Sequence, residues 1–220
     1  MRDTRDKILD ASLALFSKRG FLGATTKEIA KKAGVAELTL FRHFSSKERL
    51  FEEMIARHSF LPALKGLLPE LKDLSYEDAL VQIAVHFLNR LSERRDLIKI
   101  MHSELHLYPA KVKEIQQNLV GEIVRTLASY FGGMQEAGLL KEFDPELGAR
   151  AFLGMFFQYF TNQEFVVEKK QKFENRDVVI REYVNIFVFG TADIGSNNGS
   201  DSTDKGAVMS VRRRRAAALP

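Results

Sequence analysis

Apolar residues up to Ile194 recur at spacings of three and four, so the pattern predicts helices along that whole stretch. Ile8, Ala11, Leu15 and Phe16 make the first apolar face, opened by Asp3 or Thr4 as a cap and closed at Gly20. A second helix starts at Thr25, which stands three residues before Glu28 with capping-box spacing; it carries Ile29, Ala30 and Ala33, and Gly34 supplies the positive φ that ends it. Glu37 to Phe44 reads as a short third helix on which Leu40 and Phe44, four apart, face a core while Leu38, Thr39, Arg42 and His43 are left outside. Ser45 and Glu48 repeat the capping-box spacing, so a fourth helix starts at Ser46 or Lys47 and turns Leu50, Phe51, Met54 and Ile55 inward.

After about Arg57 the pattern changes. Pro62, Gly66 and Pro69 interrupt any long helix and mark a boundary between a small head and a larger body. Ser75 and Asp78 open a helix bearing Ala79, Ile83, Phe87 and Leu91, which a charged cluster, Glu93 to Asp96, brings to a corner. Leu97 to Tyr108 is a further helical run closed by Pro109, and Val112, Ile115, Leu119, Ile123, Leu127, Tyr130 and Phe131 make a long amphipathic helix. Gly132 and Gly133 weaken or bend that helix, and Gly138 stops it. Asp144-Pro145 is a strong helix start, Asp as cap and Pro at the first position. The helix that follows is apolar on more than one face, and Asn175 caps a last one bearing Val178, Val179, Tyr183, Ile186, Phe187 and Phe189. One chain's core cannot cover both, which predicts a homodimer interface. The division expected is a head over residues 1–58, a helical body over 59–194 and a disordered basic tail over 195–220, where GSNNGSDSTDKG precedes Arg212 to Arg215.

Two short helices joined by a sharp turn are a helix-turn-helix, the shape that lays a helix in the DNA major groove. T-x-x-I-A-x-x-A-G-V from Thr26, T-L-F-x-H-F from Thr39 and S-K-E-x-L from Ser46 resemble the DNA-binding region of the TetR family of bacterial transcriptional regulators over roughly Arg5 to Ile55. The resemblance implies an all-α protein: a three-helix helix-turn-helix head on a larger helical body that binds an effector and dimerises through its last two helices. Carried over position by position, it makes Lys27, Glu37, Leu38 and Thr39 candidate readers of base edges. Thr26, Phe41, Arg42, His43 and Lys47 would lie at the phosphate backbone. Two positions depart from the family pattern. Ala36 stands where a capping serine is usual, at a cost of about 1 kcal/mol of helix stability, and Phe41 stands where a tyrosine hydroxyl would reach a phosphate. Glu37 would accept from a cytosine amino group if it reads a base; otherwise its charge favours the helix dipole.

Composition narrows the alternatives. The formal charge of +4 divides into 12 Lys and Arg against 8 Asp and Glu up to His58, 16 against 19 from Ser59 to Ile194, and 5 against 2 beyond. A cationic head on a slightly acidic body suits a phosphate-binding module joined to a body with another role. Cysteine is absent, which removes disulfides and thiol nucleophiles and suits a reducing cytoplasm. Charge breaks every apolar run short of a membrane span, and no signal peptide is visible.

No catalytic motif, metal centre or cofactor is assigned. His102 and His106 are spaced i, i+4 with His86 on a neighbouring helix, but a third ligand is not in view. For a ligand, Phe87, Met101, Leu105, Tyr108, Phe131, Met134 and Phe156 could line an apolar cavity in the body, although each taken singly reads as ordinary helix packing. The reading is a ligand-responsive repressor that binds double-stranded DNA as a dimer at a palindromic operator and leaves it on binding a small apolar effector. The competing reading is a small-molecule or metal-binding helical protein with a non-functional helix-turn-helix.

Overall fold

The computed structural model describes residues 3–166 and 175–193. Helix α1 (Thr4–Gly23) buries Ile8, Leu9, Ala11 and Phe16. Asp3 holds its cap position without a side-chain hydrogen bond, and Gly20, at φ 69° and ψ 179°, breaks the regular helix before one more turn reaches Gly23. Gly20 therefore bends the helix instead of ending it, and the extra turn places Phe21 in the core. Helix α2 (Thr26–Ala33) opens with the capping box: the Thr25 hydroxyl accepts from the Glu28 N–H at 3.2 Å, and Glu28 Oε2 accepts from the Thr25 N–H at 3.3 Å. It closes at Gly34, φ 72°, where the Val35 N–H donates back to the Ala30 carbonyl at 3.0 Å. Helix α3 (Glu37–His43) follows after a short turn, then α4 (Lys47–His58). The cap of α4 is Ser46, not Ser45; its hydroxyl accepts from the Arg49 N–H at 3.1 Å. Only Ser45 has the box spacing to Glu48; Ser46, with Arg49 three residues on, caps through its hydroxyl alone.

The stretch with Pro62, Gly66 and Pro69 is helical. Helix α5 (Leu61–Leu67) takes Pro62 in its first turn, where the missing N–H would have had no partner, and a 3-10 turn follows over Leu68–Leu71. Leu61, Leu64, Leu67 and Leu71 are all buried, so packing holds two short helical pieces where the prolines allow no long helix. Helix α6 (Tyr76–Glu93) is capped by Ser75, which accepts from the Asp78 N–H at 3.1 Å, and ends at the Arg94 corner. Helix α7 (Arg95–Glu104) is shorter than the apolar run suggests; a 3-10 turn over Leu105–Leu107 completes the path to Pro109. Helix α8 (Ala110–Glu136) passes through Gly132 and Gly133 and stops at Gly138, φ 72°. Helix α9 (Pro145–Thr161) is capped by Asp144, which accepts from the Glu146 and Leu147 N–H groups at 2.8 and 3.0 Å; a π-helical turn, Asn162–Val166, extends it. Helix α10 (Arg176–Thr191) is capped by Asn175, and Leu140 pairs with Ala192 in an isolated bridge. The expected tail lies outside the described residues.

Buried side chains form two clusters. The body cluster runs from Phe60 to Phe187, with Phe131 near its centre, 6.0, 6.5 and 5.7 Å between ring centroids from Phe143, Phe152 and Phe187. The head cluster is built on α1 to α4 but also takes in Leu97, Tyr108, Val112 and Ile115 from α7, α8 and the link between them. Leu147, Ile186 and Phe189, on α9 and α10, stay 65%, 63% and 62% exposed. Among the described residues no helix is long and apolar enough to cross a membrane.

Candidate nucleic-acid interface

Helix α3 is fixed from behind. Leu40 and Phe44 are fully buried, which turns Leu38, Phe41, Arg42 and His43 to the surface and leaves Thr39 half-buried beside them. Leu38 is 65% exposed and Phe41 42%, an unusual apolar display on a surface helix. In a major groove such side chains can meet thymine methyls, and Thr39 and Arg42 can hydrogen-bond.

The start of α3 has no capping side chain, since Ala36 offers none. A tertiary bond partly replaces the cap, for the Thr26 hydroxyl donates to Glu37 Oε1 at 2.7 Å and ties the first residue of α2 to the first of α3. Thr26 and Glu37, one expected at the backbone and one at a base, are thus engaged with each other. Lys27, next to Thr26, is exposed. Lys47, the first residue of α4, stands apart: its ammonium lies 4.5 Å over the Phe21 ring, and burial lowers its pKa below the ordinary lysine value against the opposing pull of Glu48. Spacing gives no hint of the Thr26–Glu37 or Lys47–Phe21 contacts, because each joins residues from different helices.

Where the head meets the body, polar groups from three elements converge. His58, at the end of α4, receives Arg94 Nη2 at 3.3 Å on Nδ1, while its Nε2 lies 3.8 Å from Asp10 Oδ1 of α1. Arg57 bonds Asp6 of α1 alongside. Burial, then the positive charge of Arg94, lowers the His58 pKa below the ordinary imidazole value, with Asp10 opposing. Arg95, beside Arg94, reaches into the body instead, its Nε donating to Glu164 Oε2 at 2.6 Å and its Nη2 to the Glu164 carbonyl at 3.3 Å. Adjacent arginines therefore link the end of α4 to the π-turn after α9.

The seven residues expected around a ligand are split up. Phe87, Phe131 and Phe156 lie in the body core and Met134 packs at its edge, whereas Met101 and Tyr108 pack with the head cluster and Leu105 is 42% exposed. An open cleft of about 650 Å³ beside the end of α8 is lined by Gln135, Glu136, Leu140, Glu142 and Phe143, none of the seven. His102 and His106 are both exposed, and α7 ends between them at Glu104, so the i, i+4 geometry is broken by the 3-10 turn. The Nδ1 of His86 is 2.9 Å from the Gln82 carbonyl. Among the described residues, no group of three His, Cys, Asp or Glu could hold a metal ion.

Known proteins bear on both halves of the chain. Residues 8–54 match the family described as bacterial regulatory proteins, tetR family, and residues 78–189 match that described as AefR-like transcriptional repressor, C-terminal domain. The chain is 31% identical over 163 residues to YvkB of Bacillus subtilis, an uncharacterized helix-turn-helix-type transcriptional regulator, covering 74% of this chain and 84% of that one. A TetR-family regulator structure from Mesorhizobium loti superposes with a TM-score of 0.70 at 21% identity, over 86% of this chain and 97% of the other. The structure of AibR in complex with isovaleryl coenzyme A and operator DNA superposes with a TM-score of 0.57 at 20% identity, over 84% and 97%. At these identities the two structures are evidence of a shared fold.

Proposed function

The chain belongs to the TetR family of bacterial transcriptional regulators, and from that premise we propose that it is a cytoplasmic repressor which binds a palindromic operator as a homodimer and leaves it on binding a small apolar effector. The observation that carries the DNA reading is the face of α3. Its inner residues, Leu40 and Phe44, are wholly buried, and its outer residues are presented on a helix short enough for one major groove. In this reading Lys27, Leu38 and Thr39 meet base edges, with Glu37 restrained by Thr26, and Phe41, Arg42, His43 and Lys47 lie along the phosphates.

The dimer is supported by Leu147, Ile186 and Phe189, large apolar side chains left more than half exposed on the last two helices. Two copies related by a two-fold axis would bury them and present two α3 helices to successive major grooves about 34–36 Å apart. An effector that favours another spacing would then release DNA. AibR was solved with an acyl coenzyme A and operator DNA, and a ligand with a small acyl group is a reasonable first candidate for this body. No catalytic role is proposed. The head, body and tail are assigned to residues 1–58, 59–194 and 195–220.

Three alanine variants, compared on matched and mismatched duplexes, test this reading. Lys47→Ala should weaken binding to every duplex and lower the salt slope by about 0.9, as loss of one phosphate contact does. Thr39→Ala and Lys27→Ala should change the preference among sequences, by about 1–3 kcal/mol at the contacted base pair. Equal losses on all duplexes from all three variants would sink the assignment of base readers.

A further inference from the structure

The bend in α1 is occupied by the body. Gly20 adopts φ 69°, and a Cβ built there would lie 2.7 Å from Glu104 Cδ, so the carboxyl group of Glu104 fills the space that only glycine leaves open. Glu104 is the last residue of α7, and four residues on, Tyr108 is 3% exposed inside the head cluster. The Tyr108 ring packs on Phe21 edge to face, 6.1 Å between centroids. Its hydroxyl faces the Phe21 backbone and Glu104, and burial, the largest influence, pushes its pKa up to about 12. Neither Glu104 Oε2 nor the Tyr108 hydroxyl makes a hydrogen bond of regular geometry, although both are shut off from solvent.

Phe21 is the residue they enclose. Its ring stacks with Phe16, meets Phe51 edge to face at 5.2 Å, and carries the Lys47 ammonium 4.5 Å above it. Gly20–Phe21 is therefore held by the end of α7, and the ring of Phe21 in turn supports the cation expected at a DNA phosphate. We infer that Glu104 and Tyr108 are positioning residues for the Lys47–phosphate contact, setting the bend at Gly20 and through it the Phe21 ring that carries the ammonium. The inference rests on the DNA-binding reading above. It assigns the end of α7 as a place where a shift of the body changes phosphate affinity without touching α3.

A double-mutant cycle on the full-length chain tests this, read as the slope of log affinity against log salt on one fixed duplex of mixed sequence. Lys47→Ala is expected to lower the slope by about 0.9. Glu104→Ala should produce a similar fall alone and no further fall when Lys47 is already alanine. Glu104→Gln, which keeps the shape that fills the bend, should restore the slope. Phe21→Leu removes the ring face and keeps the core apolar; it gives a second cycle with the same expectation should Glu104→Ala not fold. An unchanged slope in Glu104→Ala, or an equal loss in both backgrounds, overturns the inference and leaves the DNA reading standing. Lys47→Ala without effect on any duplex overturns the inference together with the phosphate role of Lys47, whereas failure of the unaltered chain to bind any duplex overturns the DNA reading itself.

Discussion

The two cores are closed in different ways. The body's buried cluster begins at Phe60 and takes no residue from α1 to α4, yet its last two helices still show Leu147, Ile186 and Phe189 to solvent. The head does the reverse: its cluster is completed by Leu97, Tyr108, Val112 and Ile115, which the chain reaches only after passing through α5 and α6 of the body. A head this small has little surface to bury by itself, and the borrowed side chains supply what it lacks. The consequence is functional as well as energetic. A unit whose core is shared with its neighbour cannot ignore that neighbour's movements, whereas a body with apolar surface to spare has a surface to offer to a second copy.

Cutting the chain at residue 58 deprives the head of its borrowed side chains altogether. The borrowed apolar side chains, at about 1.5–3 kcal/mol each, amount to much of a domain's net stability of about 5–15 kcal/mol. Residues 1–58 alone should therefore give an unfolded circular dichroism spectrum and no DNA binding, while residues 59–193 keep their helices. A cooperative thermal transition in the fragment would show that the head does not depend on the borrowed residues.

Gly20→Ala probes the same junction at one atom. At φ 69° and ψ 179° Gly20 occupies a region essentially closed to L side chains, at a cost of about 1–3 kcal/mol, and the Cβ also meets Glu104. Gly34→Ala meets the milder left-handed penalty of about 1–2 kcal/mol, at φ 72° and ψ 33°, with nothing within 4 Å. Urea unfolding should show the greater loss at Gly20, and pairing Gly20→Ala with Glu104→Ala should recover the part due to the Glu104 clash; no recovery would mean that Glu104 yields freely.

His58 gives a pH-dependent version. Its folded-state pKa is lowered from the ordinary 6.5, so the unfolded chain takes the proton first and the folded chain resists it. The contribution is complete above about 6.5 and is lost as pH falls through the lower folded value. His58→Gln should flatten that part of the stability profile, and a profile unchanged by the substitution would remove His58 from the account. The smallest effect is at a helix start that the head leaves bare. Ala36→Ser supplies the missing cap of α3 and should raise stability by about 1 kcal/mol in thermal unfolding. No gain would mean that the Thr26–Glu37 bond already secures that end.

Local chemistry made most of the fold readable. The starts at Thr25, Ser75, Asp144 and Asn175 are each written in a cap and the residues just after it, and the structure uses all four. Helix α5 was hidden because Pro62 and Pro69 read as breakers, while the leucines that hold it in place act through contacts distant in sequence. The i, i+4 spacing of His102 and His106 assumed a helix that α7 does not continue. At the candidate interface, burial of Leu40 and Phe44 follows from periodicity, and so does the outward face of α3. The Thr26–Glu37 bond, Lys47 over Phe21 and Glu104 in the bend at Gly20 are tertiary, between residues whose spacing carries no period. The apolar residues expected around one cavity show the same limit, since a hydrophobic pattern tells which side chains are buried and not which core receives them.

The most direct test of the central claim is selection of binding sites from random duplex DNA by the full-length protein at near-physiological salt. The account predicts enrichment of a two-fold symmetric site whose halves are centred about one helical turn, 34–36 Å, or a multiple of it apart, and loss of that enrichment with Thr39→Ala. Binding that stays weak, salt-sensitive and without sequence preference would contradict it.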